Sequence, residues 1–575
     1  MILRGIFGPI EAKLPDSVLI ANGVGRFGKA VKYVGEEVVV ESYPNQSLEG
    51  APLIWRKGRR TVVISGFLYD ESVPERWLRE WNDKSAGAEE LGFCEGFLCE
   101  LDGEFAGLLI CEDSGQVLAF SNRCGTVPLY ISCKQGVIAC STHLVEHARL
   151  IRSLGWCGKI SSIGMQSYLS QGGMLEDETL LEDTMRILPG NCALYSWRNG
   201  RTVNKQYCRF ERGSQPIRNF AQAVERIDES FEKAVQKQYQ FDVLHVRKHL
   251  GSLSGGLDAR MDAVVARDLG FHERTNLTFG NSGCDDMVIA SKIASEFGQE
   301  HITISLDSGD FIKESLDTAC LANGGISLAV GSTHGIHALS LLDLDRFGIL
   351  HTGTLGDAIF GSYLSGPLDV KPLSPSGAYS RFRSRTYLEN QERVAAKFEH
   401  QEIFKLYTRG FLTINGGTFM MSPYVMQASP FLDTEVVKAV LDCSTELRWS
   451  NRLYFEWIAK RRRAAAQFPY DKTGFRPLPA SANVRRGQRV CRRLLNKAEK
   501  RMGKERGMNP FASWYQSNER LRSFIDTTYQ ERCGLGEEAM GKEWESVSKF
   551  FENANAMEQL QVISLLGTMA WLAKA

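Results

Sequence analysis

The segment GSLSGGLDAR, residues 251–260, is the most informative part of the chain, and MDAVVARDLG at residues 261–270 follows it. Apolar residues in the second segment recur at helical spacing, which predicts that the first segment is a loop opening a helix. Adjacent Gly255 and Gly256 let the backbone approach a ligand closely, and a helix start offers unpaired N–H groups and the positive end of the helix dipole. The segment therefore predicts a loop that binds phosphate oxygens.

Two side chains of the same segment extend this prediction. Ser254 adds a hydroxyl donor to the phosphate site. Asp258 places a carboxylate beside the anion, an arrangement that is tolerated when a cation such as Mg²⁺ bridges the two groups. We therefore expect Asp258 to be a metal ligand.

Outward from this loop, the pattern of the chain changes near residue 212. Before it, short β-like runs such as residues 61–66, 107–111 and 118–121 alternate with turn residues, which predicts a sheet-rich region. After it, an amphipathic helix is predicted from Asn219 onward, and helices then alternate with short apolar runs in the rhythm of a parallel α/β sheet. The sequence predicts two domains, residues 1–212 and 213–575.

Composition narrows the class of protein. The 575 residues are 43% hydrophobic and 24% charged with zero formal net charge, which is typical of a globular chain and gives no global field for nucleic acid. The apolar start is too short for a secretory signal or a membrane anchor, so a cytoplasmic protein with no membrane partner is expected. The basic run at residues 485–506 is interpreted as the solvated face of a long helix in preference to a polyanion or partner site.

The motifs resemble a known family. SGGLDA at residues 254–259 resembles the SGGLDS pyrophosphate loop of the N-type ATP pyrophosphatases, in particular the synthetase domain of glutamine-dependent asparagine synthetases. Further similar segments follow in the family's order: TFGNSGCDD at 278–286, TGTLGDAIFGSY at 352–363, SPFLD at 429–433 and FPYDKTG at 468–474.

This resemblance implies a set of site residues for Mg²⁺ and ATP. Asp258 and Asp357 would hold the metal, and Lys472 would offset negative charge on the α-phosphate, so these three are the expected catalytic residues. The expected nucleotide contacts are Leu253, Ser254, Gly255, Gly256, Leu257, Asp258, Thr278, Phe279 and Gly353. Three positions depart from the family, because Ala259 replaces its second serine and Thr354 and Ala358 replace two glutamates. We therefore expect the acceptor or the acidic substrate to be held differently from aspartate.

The N-terminal region is similar to the family's amidotransferase domain. LDGEFAGLLICEDSGQVLAFSNRCGTVPLY at residues 101–130 carries the resemblance, and ILPG at 187–190 fits a turn of that domain. The resemblance implies an α+β Ntn-hydrolase-like sandwich ahead of the α/β pyrophosphatase domain. Arg4 stands where glutamine-hydrolysing members have their cysteine nucleophile, residues 65–67 replace their NGE triplet, and Asp102 alone remains of the glutamine site. We expect no glutaminase activity.

Together these features predict an ATP-dependent carbon–nitrogen ligase that forms an acyl adenylate. Its substrate would be a small-molecule or peptide carboxylate, and its nitrogen donor would be ammonia or an amine. Its oligomeric state stays open, and a homodimer is one of the alternatives. The alternatives are an intramolecular cyclase of the lasso-peptide or β-lactam type and a catalytically silent scaffold or regulator. A nucleic-acid role is not expected, because the basic residues occur in one stretch.

Overall fold

The computed structural model describes residues 1–9, 13–51, 53–81, 88–368, 380–502 and 504–575, with the side chains of residues 88–93 and 482 left aside. The strands are, in chain order, β1 Ile2–Phe7, β2 Val31–Val34, β3 Val38–Tyr43, β4 Ile54–Lys57, β5 Arg60–Leu68, β6 Gly103–Cys111, β7 Gln116–Ser121, β8 Tyr130–Lys134, β9 Val137–Ser141, β10 Met185–Arg186, β11 Asn191–Ser196, β12 Thr202–Gln206, β13 Lys248–Ser252, β14 Arg274–Gly280, β15 Glu300–Ser305, β16 Phe347–His351 and β17 Gln427–Ala428.

The helices follow the same chain order. They are α1 Val18–Ala21, α2 Val73–Glu80, α3 Ala88–Glu100, α4 Leu144–Ser153, α5 Ser162–Gln171, α6 Phe220–Leu244, α7 Asp258–Asp268, α8 Asp285–Phe297, α9 Phe311–Asn323, α10 Thr333–Ser340, α11 Arg385–Ala395, α12 Gln401–Lys405, α13 Asn415–Phe419, α14 Thr434–Leu441, α15 Thr445–Arg448, α16 Arg452–Arg461, α17 Ala482–Arg501, α18 Phe511–Ser517, α19 Glu519–Met540, α20 Trp544–Glu552 and α21 Ala556–Lys574. Two π-helical turns, Ala358–Ser362 and Leu406–Ile414, interrupt the regular helices. Within the described residues, no helix combines the length and apolar character needed to span a bilayer.

The N-terminal region is a sandwich of two antiparallel sheets. Their strand orders are β10-β8-β9-β1-β3-β2 and β12-β11-β7-β6-β5-β4. Val63 and Leu108 of the second sheet join a core with Ile2 and Val40 of the first, while the opposite face of the second sheet packs against α2 and α3. Alternate residues of β5 and β6 thus enter different cores, as the two-residue period of a strand requires. The predicted α+β sandwich is observed.

The C-terminal region contains the predicted parallel sheet. Its five strands run β15-β14-β13-β16-β17, and every neighbouring pair is parallel. The chain moves outward from β13 to β15 on one side and continues with β16 and β17 on the other. Connections leave β13 and β16 in opposite directions, which opens a crevice at the carboxyl ends of these two strands.

The two regions share one hydrophobic core. The antiparallel sheets end at Gln206 and the parallel sheet begins at Lys248, on either side of the expected boundary at residue 212. Helix α21 nevertheless packs on the sandwich, where the side-chain amide of Gln561 donates hydrogen bonds to the carbonyls of Tyr168 and Leu169 at 2.7 and 2.8 Å. Its apolar side chains belong to the same core as β1, so the C-terminal helices and the sandwich are packed as one body.

Candidate functional site

The predicted phosphate loop connects β13 to α7. Leu253 and Leu257 are buried and anchor the two ends of the loop in separate cores, so their backbone alone faces the crevice. The N–H of Gly255 donates to Asp286 Oδ1 at 3.0 Å, and that of Gly256 donates to Ser254 Oγ at 3.2 Å. A phosphate bound here would have to replace these two local acceptors. Helix α7 begins with no side-chain cap, as suits an anion-binding helix start.

Two carboxylates meet where the loops after β13 and β16 touch. The backbone N–H of Asp357 donates to Asp258 Oδ2 at 3.0 Å, and the hydroxyl of Tyr454 donates to Asp258 Oδ1 at 2.7 Å. The approach is so close that a Cβ on Gly353 would lie 2.4 Å from the Ala259 nitrogen, which explains a glycine at this position. Leu355 adopts a left-handed φ of 65°, so the second loop carries backbone strain at the site.

Electrostatics make this pair a candidate cation site. Burial, followed by repulsion from Asp357, raises the pKa of Asp258 to about 7, although the Tyr454 hydroxyl opposes the shift. A divalent cation between the carboxylates would relieve that repulsion, and carboxylate oxygens are the ligands that Mg²⁺ prefers. Mg²⁺ usually keeps several waters and binds through one or two carboxylates plus phosphate oxygens. The residues therefore fit Mg²⁺ bound together with a nucleotide.

Lys472 reaches the same point from a third segment. Its ammonium group pairs with Asp357 Oδ2 at 2.9 Å. Burial opposes its charge, but Tyr470, Asp357 and Asp258 outweigh that effect and raise the pKa of Lys472, so it stays protonated. The structure brings all three expected catalytic side chains together.

A buried arginine that the sequence analysis did not single out fixes the lysine segment against the phosphate loop. The Arg260 guanidinium donates to the carbonyl of Gly255 at 2.9 Å and to that of Pro469 at 2.7 Å. It also donates to the carbonyls of Ala465 and Phe468. No local pattern in the sequence signals this role, because three of its four partner carbonyls lie more than two hundred residues away.

Asp258 lines a cleft of about 310 Å³ at the carboxyl ends of β13, β14 and β16. One part is polar, and Ser254, Asp258, Gly353 and Thr354 line it. The remainder is apolar, with a lining that includes Leu277, Phe279, Leu339, Leu350 and Met421. A polar end beside an apolar end suits a ligand with a phosphate chain and a flat apolar ring.

One predicted nucleotide contact, Thr278, and one position that departs from the family, Ala358, point away from the cleft. Thr278 is buried, and its hydroxyl donates to the Leu253 carbonyl at 2.7 Å, because strand alternation turns it away from the cleft that Phe279 lines. Ala358, where the family has a glutamate, is 1% exposed and packs in the core. Thr354, at the other glutamate position, does face the cleft and hydrogen-bonds with Thr352 at 3.0 Å.

Behind the cleft, a buried polar cluster joins β13 to β16. Asp242 Oδ2 lies 2.9 Å from His249 Nδ1 and 2.8 Å from His351 Nε2, and its other oxygen accepts from the Ile349 N–H. The sequence analysis missed this cluster. Because the carboxylate is already bonded to both imidazoles, we assign it to holding the two strands in register.

The sandwich positions at which the resemblance placed the nucleophile and the glutamine site make other contacts. Arg4 is buried and pairs with Glu41 at 2.5 Å and Glu146 at 3.3 Å, far into strand β1. Asp102 pairs at 2.5 Å with Lys237 of helix α6, across the boundary between the two regions. The nearby thiol of Cys124 is buried, and burial raises its pKa well above the usual value, which keeps it protonated and unreactive.

Comparisons with known proteins give distant likenesses only. No family model matches the chain, and no curated protein matches it. A solved structure described as the allosteric regulatory enzyme of purine biosynthesis matches at 9% identity and a TM-score of 0.24, over 44% of this chain and 60% of that one. Glutamine phosphoribosylpyrophosphate amidotransferase from B. subtilis, complexed with ADP and GMP, matches at 10% identity and a TM-score of 0.22, over 52% and 84%. At such low TM-scores we draw nothing from either likeness.

Proposed function

We propose that this chain is an ATP-dependent carbon–nitrogen ligase of the asparagine synthetase type, which activates a carboxylate as its adenylate and passes the acyl group to ammonia or an amine. The convergence of Asp258, Asp357 and Lys472 carries the proposal. These residues come from three segments separated by 99 and 115 positions, and they meet beside a glycine loop at the crevice where open α/β sheets bind ligands.

Each part of the cleft has a role in this reaction. Asp258 and Asp357 would hold Mg²⁺, which supplies positive charge to the phosphate oxygens. The substrate carboxylate attacks the α-phosphorus, the bond to pyrophosphate breaks, and Ser254 with the amides of Gly255 and Gly256 retains the pyrophosphate. Lys472 offsets the negative charge that develops at the α-phosphate.

The second step transfers the acyl group to nitrogen. The amine attacks the acyl carbon, the bond from that carbon to AMP breaks, and the amine nitrogen loses a proton. Glutamine is not the proposed donor, because Asp102 is held by Lys237 and the neighbouring Cys124 is a buried, protonated thiol. The donor is therefore free ammonia or an amine.

The test is pyrophosphate release from Mg–ATP by the purified protein. Aspartate with ammonium, aspartate with glutamine, and a set of sugar acids with ammonium serve as probes. We expect release with a carboxylate and ammonium, no release driven by glutamine alone, and loss of at least about a hundredfold in Asp258→Asn, because the metal loses a ligand.

Asp526→Asn provides the control, since this exposed residue of α19 lies outside the cleft. It should release pyrophosphate at the rate of the unmodified protein. Undiminished release by Asp258→Asn would overturn the site assignment. If the unmodified protein releases no pyrophosphate with any probe, the result favours the intramolecular cyclase, which needs its own substrate, or the catalytically silent scaffold.

A further inference from the structure

Helix α17 exposes its apolar residues to solvent. Val490, Leu494 and Leu495 are 47%, 63% and 55% exposed, and Val484 and Met502 are 53% and 67% exposed. Their spacing along the chain places them along one face of the helix. A surface helix of a globular protein ordinarily turns such a face inward, so the orientation of α17 is the reverse of the usual one.

The side of α17 that contacts the protein is polar instead. Arg485 is 4% exposed, and its guanidinium lies 5.0 Å from the centre of the Phe455 ring. Arg492 pairs with Asp285 at the start of α8. These contacts hold the helix on the protein with its apolar face outward.

Basic residues flank the apolar face. Residues 485–506 contain ten basic side chains and two acidic ones, Glu499 and Glu505; the basic ones are Arg485, Arg486, Arg489, Arg492, Arg493, Lys497, Lys500, Arg501, Lys504 and Arg506. Six of them are exposed along α17. Lys500 pairs with Glu505, whereas no ion pair is seen among the described residues for the other five, Arg486, Arg489, Arg493, Lys497 and Arg501. The expected long helix is therefore present, and it combines positive charge with an open apolar stripe.

We propose that α17 docks in the surface of a membrane rich in anionic lipid, with its apolar stripe among the acyl chains and its arginines and lysines on lipid phosphates. An amphipathic basic helix is suited to this position, and each basic residue near an anionic leaflet adds attraction. A nucleic acid would satisfy the charge and leave the apolar stripe in water. A bilayer surface matches both features at once.

The docking helix is connected to the cleft. Asp285, the partner of Arg492, precedes Asp286, whose carboxylate accepts the N–H of Gly255 in the phosphate loop. The segment between Lys472 and α17 adds two more exposed apolar side chains, Phe475 at 47% and Leu478 at 52%. Docking would thus place Lys472 and the phosphate loop close to the bilayer surface. The docking itself does not depend on the proposed activity.

The test is flotation of the full chain with lipid vesicles in a density gradient. Vesicles of phosphatidylcholine alone are compared with vesicles that also contain phosphatidylglycerol. We expect binding to the mixed vesicles that weakens with salt, and little binding to the neutral ones. The double variant Leu494→Ser, Leu495→Ser should bind the mixed vesicles at least about tenfold more weakly, because two apolar anchors are lost.

Leu341→Ser is the matched control, because Leu341 is 61% exposed and lies elsewhere on the chain. It should float as the unmodified protein does. Equal binding to both vesicle types, absence of binding to either, or undiminished binding by the double variant would each overturn the proposal. So would capture of the chain by a duplex DNA competitor that the double variant binds equally well, since that result assigns the surface to a polyanion.

Discussion

At the scale of single residues, a proton on Asp258 would compete with the proposed Mg²⁺. Its pKa is raised to about 7 by burial and by Asp357, so near neutral pH part of the population carries a proton that competes with a cation. Tyr454 donates a hydrogen bond that favours the ionised form. Under the proposed function, the hydrogen bond from Tyr454 would therefore lower the pH at which Asp258 can bind the metal.

Replacing Tyr454 by Phe should shift the acid limb of the pH profile to higher pH. Loss of the hydrogen bond raises the pKa of Asp258 further, so the protein should need a higher pH to bind Mg–ATP. The measurement is the Mg²⁺ concentration for half-maximal pyrophosphate release across the neutral range. Tyr529→Phe, on the remote helix α19, should keep the original profile. An unshifted profile in Tyr454→Phe would show that the hydroxyl does not act on Asp258.

At the scale of elements, the position of the lysine segment depends on helix α7. Arg260 comes from the first turn of α7 and donates to four carbonyls, one in the phosphate loop and three in residues 465–469. Burial lowers its pKa to about 10, yet the group remains charged at neutral pH. One side chain thus joins the loop proposed to hold pyrophosphate to the segment that carries Lys472.

Arg260→Met should separate these two elements. The thioether fills part of the space and donates nothing, so carbonyls that were paired lose their partner, which costs at least about 2 kcal/mol of unfolding free energy. Pyrophosphate release should also fall, because Lys472 loses its fixed position. Urea unfolding and the release assay are run on the same preparation. Arg267→Met, at the end of the same helix, should retain release.

The sequence predicted the elements better than their side-chain contacts. The β13–loop–α7 unit follows from periodicity and paired glycines, and the meeting of Asp258 with Asp357 was implied by the family resemblance. The contacts of Arg260 with residues 465–469 and of Tyr454 with Asp258 were missed, because these partners are distant in the chain and leave no local pattern. Thr278 was expected to contact nucleotide, but the alternation of β14 turns its side chain under the loop, so only its backbone can do so.

At the scale of the whole molecule, the sandwich and the parallel sheet meet around a buried carboxyl. Glu104 of strand β6 is 6% exposed and lines a small cavity with Thr352 and Ser429 of the C-terminal region. Burial raises the pKa of Glu104 to about 7. The two regions share one core. Ionisation of Glu104 should therefore lower the free energy of unfolding of the entire chain.

Glu104→Gln should therefore change stability in a pH-dependent way. The unfolded chain releases the Glu104 proton near its ordinary pKa of 4.5 and the folded chain near 7, so this group lowers folded-state stability as pH rises between those values. The full difference amounts to about 3 kcal/mol. Between pH 5 and pH 8, the unfolding free energy of the variant relative to that of the unmodified protein should rise by most of that amount. Urea unfolding measures both free energies. Glu112→Gln, another buried carboxyl of the sandwich, is measured in parallel to report the effect of losing a buried carboxylate elsewhere. A stability difference for Glu104→Gln that stays constant over this range would show that Glu104 is ionised in the folded protein.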